Sequence, residues 1–286
     1  MSNLIKNLIN EGKQVLSKYG IKNPIGDARL IIKKTLKKTE IEFIFSPNQK
    51  VSLKQRNLIF ENFIDRARGK PISKIFGLKD FYLNEFIVNN NVLDPRPETE
   101  LLVDLTIKNF FKITKKKISL LELGIGSGCL IISILLSVKQ NNVSALGVDS
   151  CDKALKIAKK NIKKFKLEKK LKLKKSDWFS NVNNKFDIIV SNPPYIKTSD
   201  IKNLDKEVKL YDPFIALDGG LDGLKCFERI ARDARFHLKK NGVILLEIGF
   251  GQINSIKKIF ERWGYEIILK EKDLQGIIRV VGFKLK

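Results

Sequence analysis

The chain has 286 residues, with 55 Lys or Arg, 31 Asp or Glu and one His, for a formal net charge of +24. At about 150 residues per domain the length predicts two domains, and 43% apolar against 30% charged residues excludes a wholly disordered polymer. The longest apolar run, 129–138, is broken by serines and falls far short of the ~20 residues of a membrane span.

In chain order, residues 1–72 read as a helical domain. Leu4, Ile5, Leu8, Ile9, Val15 and Leu16 fall close to helical spacing over 3–18. Pro24 and Gly26 break the chain, and Asp27 caps a second helix carrying Leu30, Ile31, Ile32 and Leu36. A third helix runs from Ser52 to the stop at Gly69–Pro71. Over 73–100 Phe81, Leu83, Glu85 and Ile87 alternate with Tyr82, Asn84, Phe86 and Val88, and Asn89, Asn90 and Asn91 supply a turn, which predicts a hairpin. The run DPRPETE, 94–100, is a stiff connector. Its Arg96, Glu98 and Glu100 either line a cleft or hold the connector by local salt bridges.

The catalytic domain is expected over 101–286: Thr99 or the acids beside it start a helix carrying Leu101, Leu102, Val103 and Leu105, and from 118 onward the rhythm is strand, helix, strand. Strands are expected at 118–123, 143–148, 171–175, 186–191 and 243–248, with helices at 128–138, 152–165, 222–239 and 252–263. Alternating βα units imply a mostly parallel sheet covered by helices on both faces. Two closing strands, 265–270 and 277–284, have no helix between them and predict an antiparallel edge.

The charge alone does not name a partner. Of the positive charges 45 are Lys and only 10 Arg, whereas phosphate-reading proteins favour the bidentate guanidinium fork. Ile and Asn, which share A/T-rich codons with Lys, are also abundant, so compositional drift competes with an anionic partner. Twelve lysines and a single acid, Glu168, fall within 153–175, as either a solvated helix face or a docking surface for a large anionic partner. The cysteines, Cys129, Cys151 and Cys226, are odd in number and scattered, which suits a reduced, cytoplasmic protein. The N-terminal MSNLIKNLINEGKQ has no signal-peptide core and leads to the same expectation. A single His237, read as an ordinary surface residue in a helix, leaves no metal centre to build.

The chemistry collects at strand ends, where open α/β sheets bind ligands. Gly124, Ile125, Gly126, Ser127 and Gly128 follow the first strand of the large sheet and open a helix; their spacing fits a nucleotide loop or a packing turn. Asp149 ends the next strand, where a carboxylate accepts ribose hydroxyls or caps the following helix. Asp177 and Trp178 end the third: a carboxylate for an amine hydrogen, and an indole that flanks a base or packs the core. Asn192, Pro193, Pro194 and Tyr195 end the fourth. An amide or exocyclic amine is a poor nucleophile because its lone pair is delocalised. Acceptors on both N–H groups, the Asn192 side-chain carbonyl and the Pro193 backbone carbonyl, localise that lone pair as charge develops. The prolines stiffen the turn, and Tyr195 offers a flat face to a planar group.

Together the glycine loop and the strand-end acids resemble the S-adenosyl-L-methionine site of the Rossmann-like class I methyltransferases. The motifs DPRPETE, LELGIGSG, GVDSCDKALKIAKKN, SDWFS, SNPPYI, YDPFIALDGGLDGL, LLEIGFGQ and DLQGIIRV occur in the order of the HemK/PrmC family of release factor glutamine N5-methyltransferases. The resemblance spans nearly the whole chain. It implies a helical N-terminal substrate-binding domain and a catalytic domain using S-adenosyl-L-methionine. The implied substrate is the glutamine of the GGQ loop of peptide chain release factors 1 and 2, with possible ribosome association. Family donor-binding positions fall on Gly124 to Gly128, Asp149, Trp178 and Asn192, and the glutamine-binding motif on Asn192 to Tyr195. The same tetrad occurs in DNA adenine N6-methyltransferases, and close variants in RNA guanine N2-methyltransferases. The expected architecture lacks a target-recognition region for nucleic acid after residue 195, so no direct nucleic-acid substrate and no membrane is expected.

Overall fold

The computed structural model describes residues 3–110, 117–138 and 142–286. Contacts divide it into a helical unit, which runs up to Gly77 and takes in Asp205–Tyr211, and a sheet unit made of Leu78–Leu204 and Asp212–Lys286.

The helical unit contains α1 (Ile5–Lys18), α2 (Pro24–Thr35), α3 (Glu40–Ile44), α4 (Leu53–Ala67) and α5 (Ile72–Phe76). Ile5, Leu8, Leu16, Ile31, Ile32, Ile59 and Phe63 are fully enclosed in its core. Gly12 lets the helices approach: a Cβ there would lie 2.4 Å from the Phe63 ring. Two sequence expectations change here. Pro24 and Gly26 do not break the chain but form the first turn of α2, because a proline there gives up only an N–H that has no helical partner. The cap is Asn23, whose side chain accepts from the Gly26 N–H, while Asp27 sits inside the helix and pairs with Arg66 at 2.7 Å. The short α3, not anticipated, is announced by a capping box between Thr39 and Glu42.

The sheet unit begins with a hairpin, β1 (Leu78–Phe81) and β2 (Asn84–Ile87). Its turn is Tyr82-Leu83, both with positive φ, rather than the asparagine run at 89–91. The alternation over 81–88 hid this turn, since Leu83 is apolar yet fully exposed. There follow α6 (Pro97–Phe110), β3 (Ile118–Leu123), α7 (Cys129–Ser137), β4 (Val143–Asp149), α8 (Asp152–Lys164), β5 (Leu171–Lys175) and β6 (Phe186–Ser191). The short α9 (Lys206–Tyr211) belongs to the helical unit, where Glu207 pairs with Arg66 at 2.7 Å. The chain closes with α10 (Lys225–Ala234), β7 (Leu238–Glu247), α11 (Ile253–Arg262), β8 (Tyr265–Lys272) and β9 (Ile278–Leu285).

The seven strands order as β5-β4-β3-β6-β7-β9-β8, parallel from β5 to β7 and antiparallel through β9 and β8, as the sequence predicts. One face buries Leu102, Leu120, Ile131 and Ile188; the other buries Leu121, Ile189, Phe227, Ile230 and Phe260. Each such side chain removed from water contributes about 1.5–3 kcal/mol. The helix expected at 222–239 is shorter at both ends. Gly223 (φ +78°) delays its start, and Leu238 already pairs with Phe186 in the sheet. His237 therefore lies in the turn after α10, half-buried and stacked on Phe179 at 4.7 Å between ring centroids. Among the described residues, no helix is long and apolar enough to cross a membrane.

Candidate active site

β3 continues through α7 to β4 on one side, while β6 pairs on its other side, so the direction of winding reverses between β3 and β6. Crevices at the carboxyl ends of strands form at such a reversal. A cavity of about 520 Å³ opens there, within the roughly 300–1,000 Å³ usual for small-molecule sites. Its walls bring together Gly124, Ile125, Gly126, Ser127, Asp149, Asp177, Trp178, Asn192 and Pro194, residues spread over 70 positions of sequence and collected by four parallel strands.

The glycine loop is shaped for close approach. Gly124 (φ +68°) and Gly126 (φ +53°) adopt backbone conformations that favour glycine. A Cβ at Gly124 would meet no protein atom within 4 Å, so the loop backbone faces open space that a ligand can fill. The Gly126 N–H donates to Asp149 Oδ2 at 3.0 Å and the Cys151 N–H to Oδ1 at 2.9 Å, which fixes the carboxylate beside the loop. Burial raises the Asp149 pKa, and the backbone N–H bonds oppose that rise. Each carboxylate oxygen retains a lone pair for a hydroxyl donor. Behind the loop, fully buried Asn161 donates to Ser127 O at 2.8 Å and to Ile87 O at 2.9 Å, tying the loop to the hairpin.

Four expected site residues have positions or partners that the sequence did not show. Gly128 stands behind the cavity wall: its φ of +81° turns the chain into α7 and its N–H donates to Ile125 O. Asp177 is on the wall, but its carboxylate is held by Arg229 at 2.7 Å, a residue the sequence did not single out. Tyr195 is not on the wall. Its hydroxyl donates to Glu247 Oε1 at 3.2 Å, and the side chain packs against the core face that holds Phe227. Pro193 is likewise buried behind Asn192 and Pro194. Trp178 lines the cavity with φ +53°, unusual for a bulky residue and costing roughly 1–3 kcal/mol. Ser176 supports it by donating to Trp178 O at 2.7 Å.

The turn after β6 is clamped from several directions. Gln252 Nε2 donates to Tyr195 O at 3.0 Å and to Gly223 O at 3.2 Å, while Gly249 N–H donates to Gln252 Oε1. Gly219 and Gly223 press on the same peptide: a Cβ on Gly223 would lie 2.5 Å from Tyr195 O, and one on Gly219 2.9 Å from Tyr195 Cα. The Asn192 amide nitrogen donates to Thr99 Oγ1 at 3.0 Å, and Thr99 donates to Glu247 Oε2 at 2.6 Å. This bond turns the NH2 end toward Thr99 and leaves Asn192 Oδ1 on the other end of the amide as an acceptor for a ligand. Arg96 lines the cavity and is held by Asp212 at 2.6 Å, 116 positions away, and Glu100 accepts from the Tyr82 N–H, so the connector is fixed by bonds to distant parts of the chain.

Thr99, Glu247 and Glu122 are the residues that sequence reading left out. Glu122 and Glu247 each end an apolar strand with a lone acid, the same signal that singled out Asp149. Both are almost wholly buried, and Glu122 lies on the cavity wall, accepting from the Ile131 N–H at 3.2 Å. Burial holds the Glu122 pKa well above the usual carboxylate range and raises that of Glu247 to about 7.

The chain matches the family described as Methyltransferase small domain over residues 97–208 and that described as PrmC N-terminal domain over 7–77. It is 35% identical over 271 residues to the release factor glutamine methyltransferase of Agrobacterium fabrum, covering 94% of this chain and 93% of that protein. It is 36% identical over 270 residues to the enzyme of the same name from Caulobacter vibrioides, covering 94% and 92%. Among solved structures, the human methyltransferase 10 domain containing protein shares the fold, with a TM-score of 0.51 at 16% identity over 75% of this chain and 93% of that one. A strand-end cavity with a glycine loop, a β4 carboxylate and an Asn-Pro-Pro-Tyr turn, on a chain matched across both its parts, places this protein in the release factor glutamine methyltransferase family.

Proposed function

We propose that this protein transfers a methyl group from S-adenosyl-L-methionine to the side-chain nitrogen of the glutamine in the GGQ loop of peptide chain release factors 1 and 2. The observation that carries this reading is the oriented Asn192: its amide nitrogen is spent on Thr99, so its carbonyl is presented to an N–H donor. A planar amide needs such an acceptor, and a histidine base is not required.

S-adenosyl-L-methionine, when bound, supplies a methyl group already activated on a sulfonium. Gly124 and Gly126 would admit it to the backbone, Asp149 would accept from its ribose hydroxyls, and Trp178 would flank its base, all of them residues of the cavity wall. Asn192 Oδ1 would hold one hydrogen of the acceptor amide and the backbone carbonyl of Pro193, whose residue is buried off the wall, would take the other, concentrating the lone pair on nitrogen. The donor would supply the methyl group, and the acceptor nitrogen would give up one hydrogen as a proton in exchange. Asp149 on the wall suits the donor's hydroxyls, and Asn192 and Pro194 suit a neutral acceptor.

The helical unit, with Ile41, Phe45 and Leu53 exposed, offers apolar surface for the body of a protein substrate. The lysines of α8 and β5, nearly all exposed along one edge of the sheet, suit approach to a ribosome-sized anionic assembly in the cytoplasm. The test is methyl transfer to an unmodified release factor by the wild type and by Asn192→Ala. Transfer should collapse in the variant while donor binding, read by calorimetry, persists. Near-normal turnover by the variant overturns the assigned role.

A further inference from the structure

Asn192 can face the acceptor with either end of its amide, and only one end is useful. What selects that end is a buried relay of three groups from distant parts of the chain: Asn192 after β6, Thr99 in the first turn of α6 and Glu247 at the end of β7. A hydroxyl has a single proton. Thr99 gives it to Glu247 Oε2 at 2.6 Å and so has only lone pairs for Asn192 at 3.0 Å, which demands the NH2 end. Tyr195 gives its own proton to Glu247 Oε1 at 3.2 Å, so the carboxylate accepts from both sides. Thr99 is 4% and Glu247 1% exposed; Thr99 edges the cavity wall and Glu247 lies behind it.

We propose that Thr99 and Glu247 are positioning residues for methyl transfer: the Glu247 carboxylate fixes the Thr99 hydroxyl, and the hydroxyl fixes the Asn192 amide with Oδ1 toward the acceptor nitrogen. A Glu247 carboxylic acid reverses the relay. It donates to Thr99, Thr99 can then donate to Asn192 Oδ1, and the flipped amide presents an N–H where the acceptor also presents one. The groups facing Glu247 are the Thr99 and Tyr195 hydroxyls, Arg279 on β9, which favours the carboxylate, and Glu98 on α6, which opposes it. Cys129 on α7 also feels this carboxylate but stays a neutral thiol, since burial raises its pKa to about 12. Burial outweighs these neighbours and brings Glu247 to about 7, where the relay switches within the working range of an enzyme.

This inference rests on Asn192 as the acceptor-binding residue, so Asn192→Ala is run beside every variant. Single-turnover transfer to a release factor is measured from pH 6 to 8.5, with donor affinity by calorimetry and folding by thermal melt. The wild-type rate should fall about tenfold from pH 8 to pH 6, following a group near 7. Glu247→Gln and Thr99→Val should be slower at pH 8, on the order of a hundredfold for a misaligned group, with donor affinity unchanged and the acid limb lost in Glu247→Gln. Thr99→Ser, which restores the hydroxyl, should recover most of the rate. If Glu247→Gln and Thr99→Val turn over normally while Asn192→Ala is dead, the relay has no positioning role and the inference falls. A Glu247→Gln enzyme that is slow but keeps the wild-type acid limb refutes the switch. If Asn192→Ala itself retains full activity, the site assignment fails instead.

Discussion

Glu247→Gln should make the protein more stable in alkali while making it a worse enzyme. The Glu247 carboxyl is enclosed at the end of β7, with pKa raised to about 7 from an ordinary 4.5, burial being the largest cause. A group whose pKa is higher folded than unfolded binds more protons in the folded state across the interval between the two values. Its contribution to stability is therefore fully present below about pH 4.5 and is lost as pH rises through about 7. The gap of about 2.5 pH units, at about 1.36 kcal/mol each, corresponds to about 3.4 kcal/mol. Gln has the same shape and no charge to bury, so it escapes this loss. Relative to wild type, Glu247→Gln should gain about 3 kcal/mol between pH 4.5 and 8.5. For a protein of this size that is roughly a 6 °C relative rise in melting temperature. Differential scanning calorimetry of both proteins at several pH values reads it directly. Parallel melting curves, with a constant offset at every pH, would show that Glu247 titrates normally and that the burial argument is wrong.

Asp149→Asn should weaken S-adenosyl-L-methionine binding by roughly 10- to 100-fold in calorimetry, the value of a charge-assisted hydrogen bond, while the fold, read by circular dichroism, is retained. Gly223→Ala places a Cβ 2.5 Å from Tyr195 O at a φ of +78°, so it should abolish transfer with less effect on donor affinity. A fully active Gly223→Ala enzyme would show that the clamp on the Asn-Pro-Pro-Tyr turn is dispensable. Reversing Lys156, Lys160 and Lys163 to Glu should leave transfer to an isolated release factor unchanged and reduce the salt sensitivity of binding to ribosomal particles, measured by co-sedimentation.

The sheet was legible because its signals are local and redundant: mostly apolar runs of strand length, several ended by Gly, Asp or Asn-Pro, with helical segments between them. Boundaries failed where a tertiary partner decided the outcome. Leu238 looks like the next position of a helical face until Phe186 pairs with it in the sheet, and Leu83 looks like a strand residue until the chain turns through positive φ. The wall of the site was legible for the same reason, since parallel strands deliver their C-terminal residues to one place. Its supporting polar groups were not. Thr99 lies 93 residues from Asn192, and only the fold shows that its hydroxyl sits between that amide and Glu247. Tyr195 illustrates the converse: its chemistry suggested a flat face for the substrate, but its hydroxyl anchors it to buried Glu247. Asp177 lies on the wall as expected, but its ion pair with Arg229, brought beside it by α10, was not legible.

The net charge of +24 also resolves into parts. Twelve lysines lie within 153–175, on α8, the adjoining loop and the edge strand β5, whereas the acids Glu122, Asp149 and Asp177 line the cavity. Arg96, Lys225 and Arg229 line it as well, so the cavity mixes both signs while the lysine excess lies on the surface.

The most direct measurement is tandem mass spectrometry of purified, unmethylated release factor incubated with this protein and S-adenosyl-L-methionine, alongside ribosomal RNA and DNA as competing acceptors. The account predicts a single added methyl on the side-chain nitrogen of the GGQ glutamine and none on nucleic acid. Methylation of a base, with the glutamine left unmodified, would contradict it.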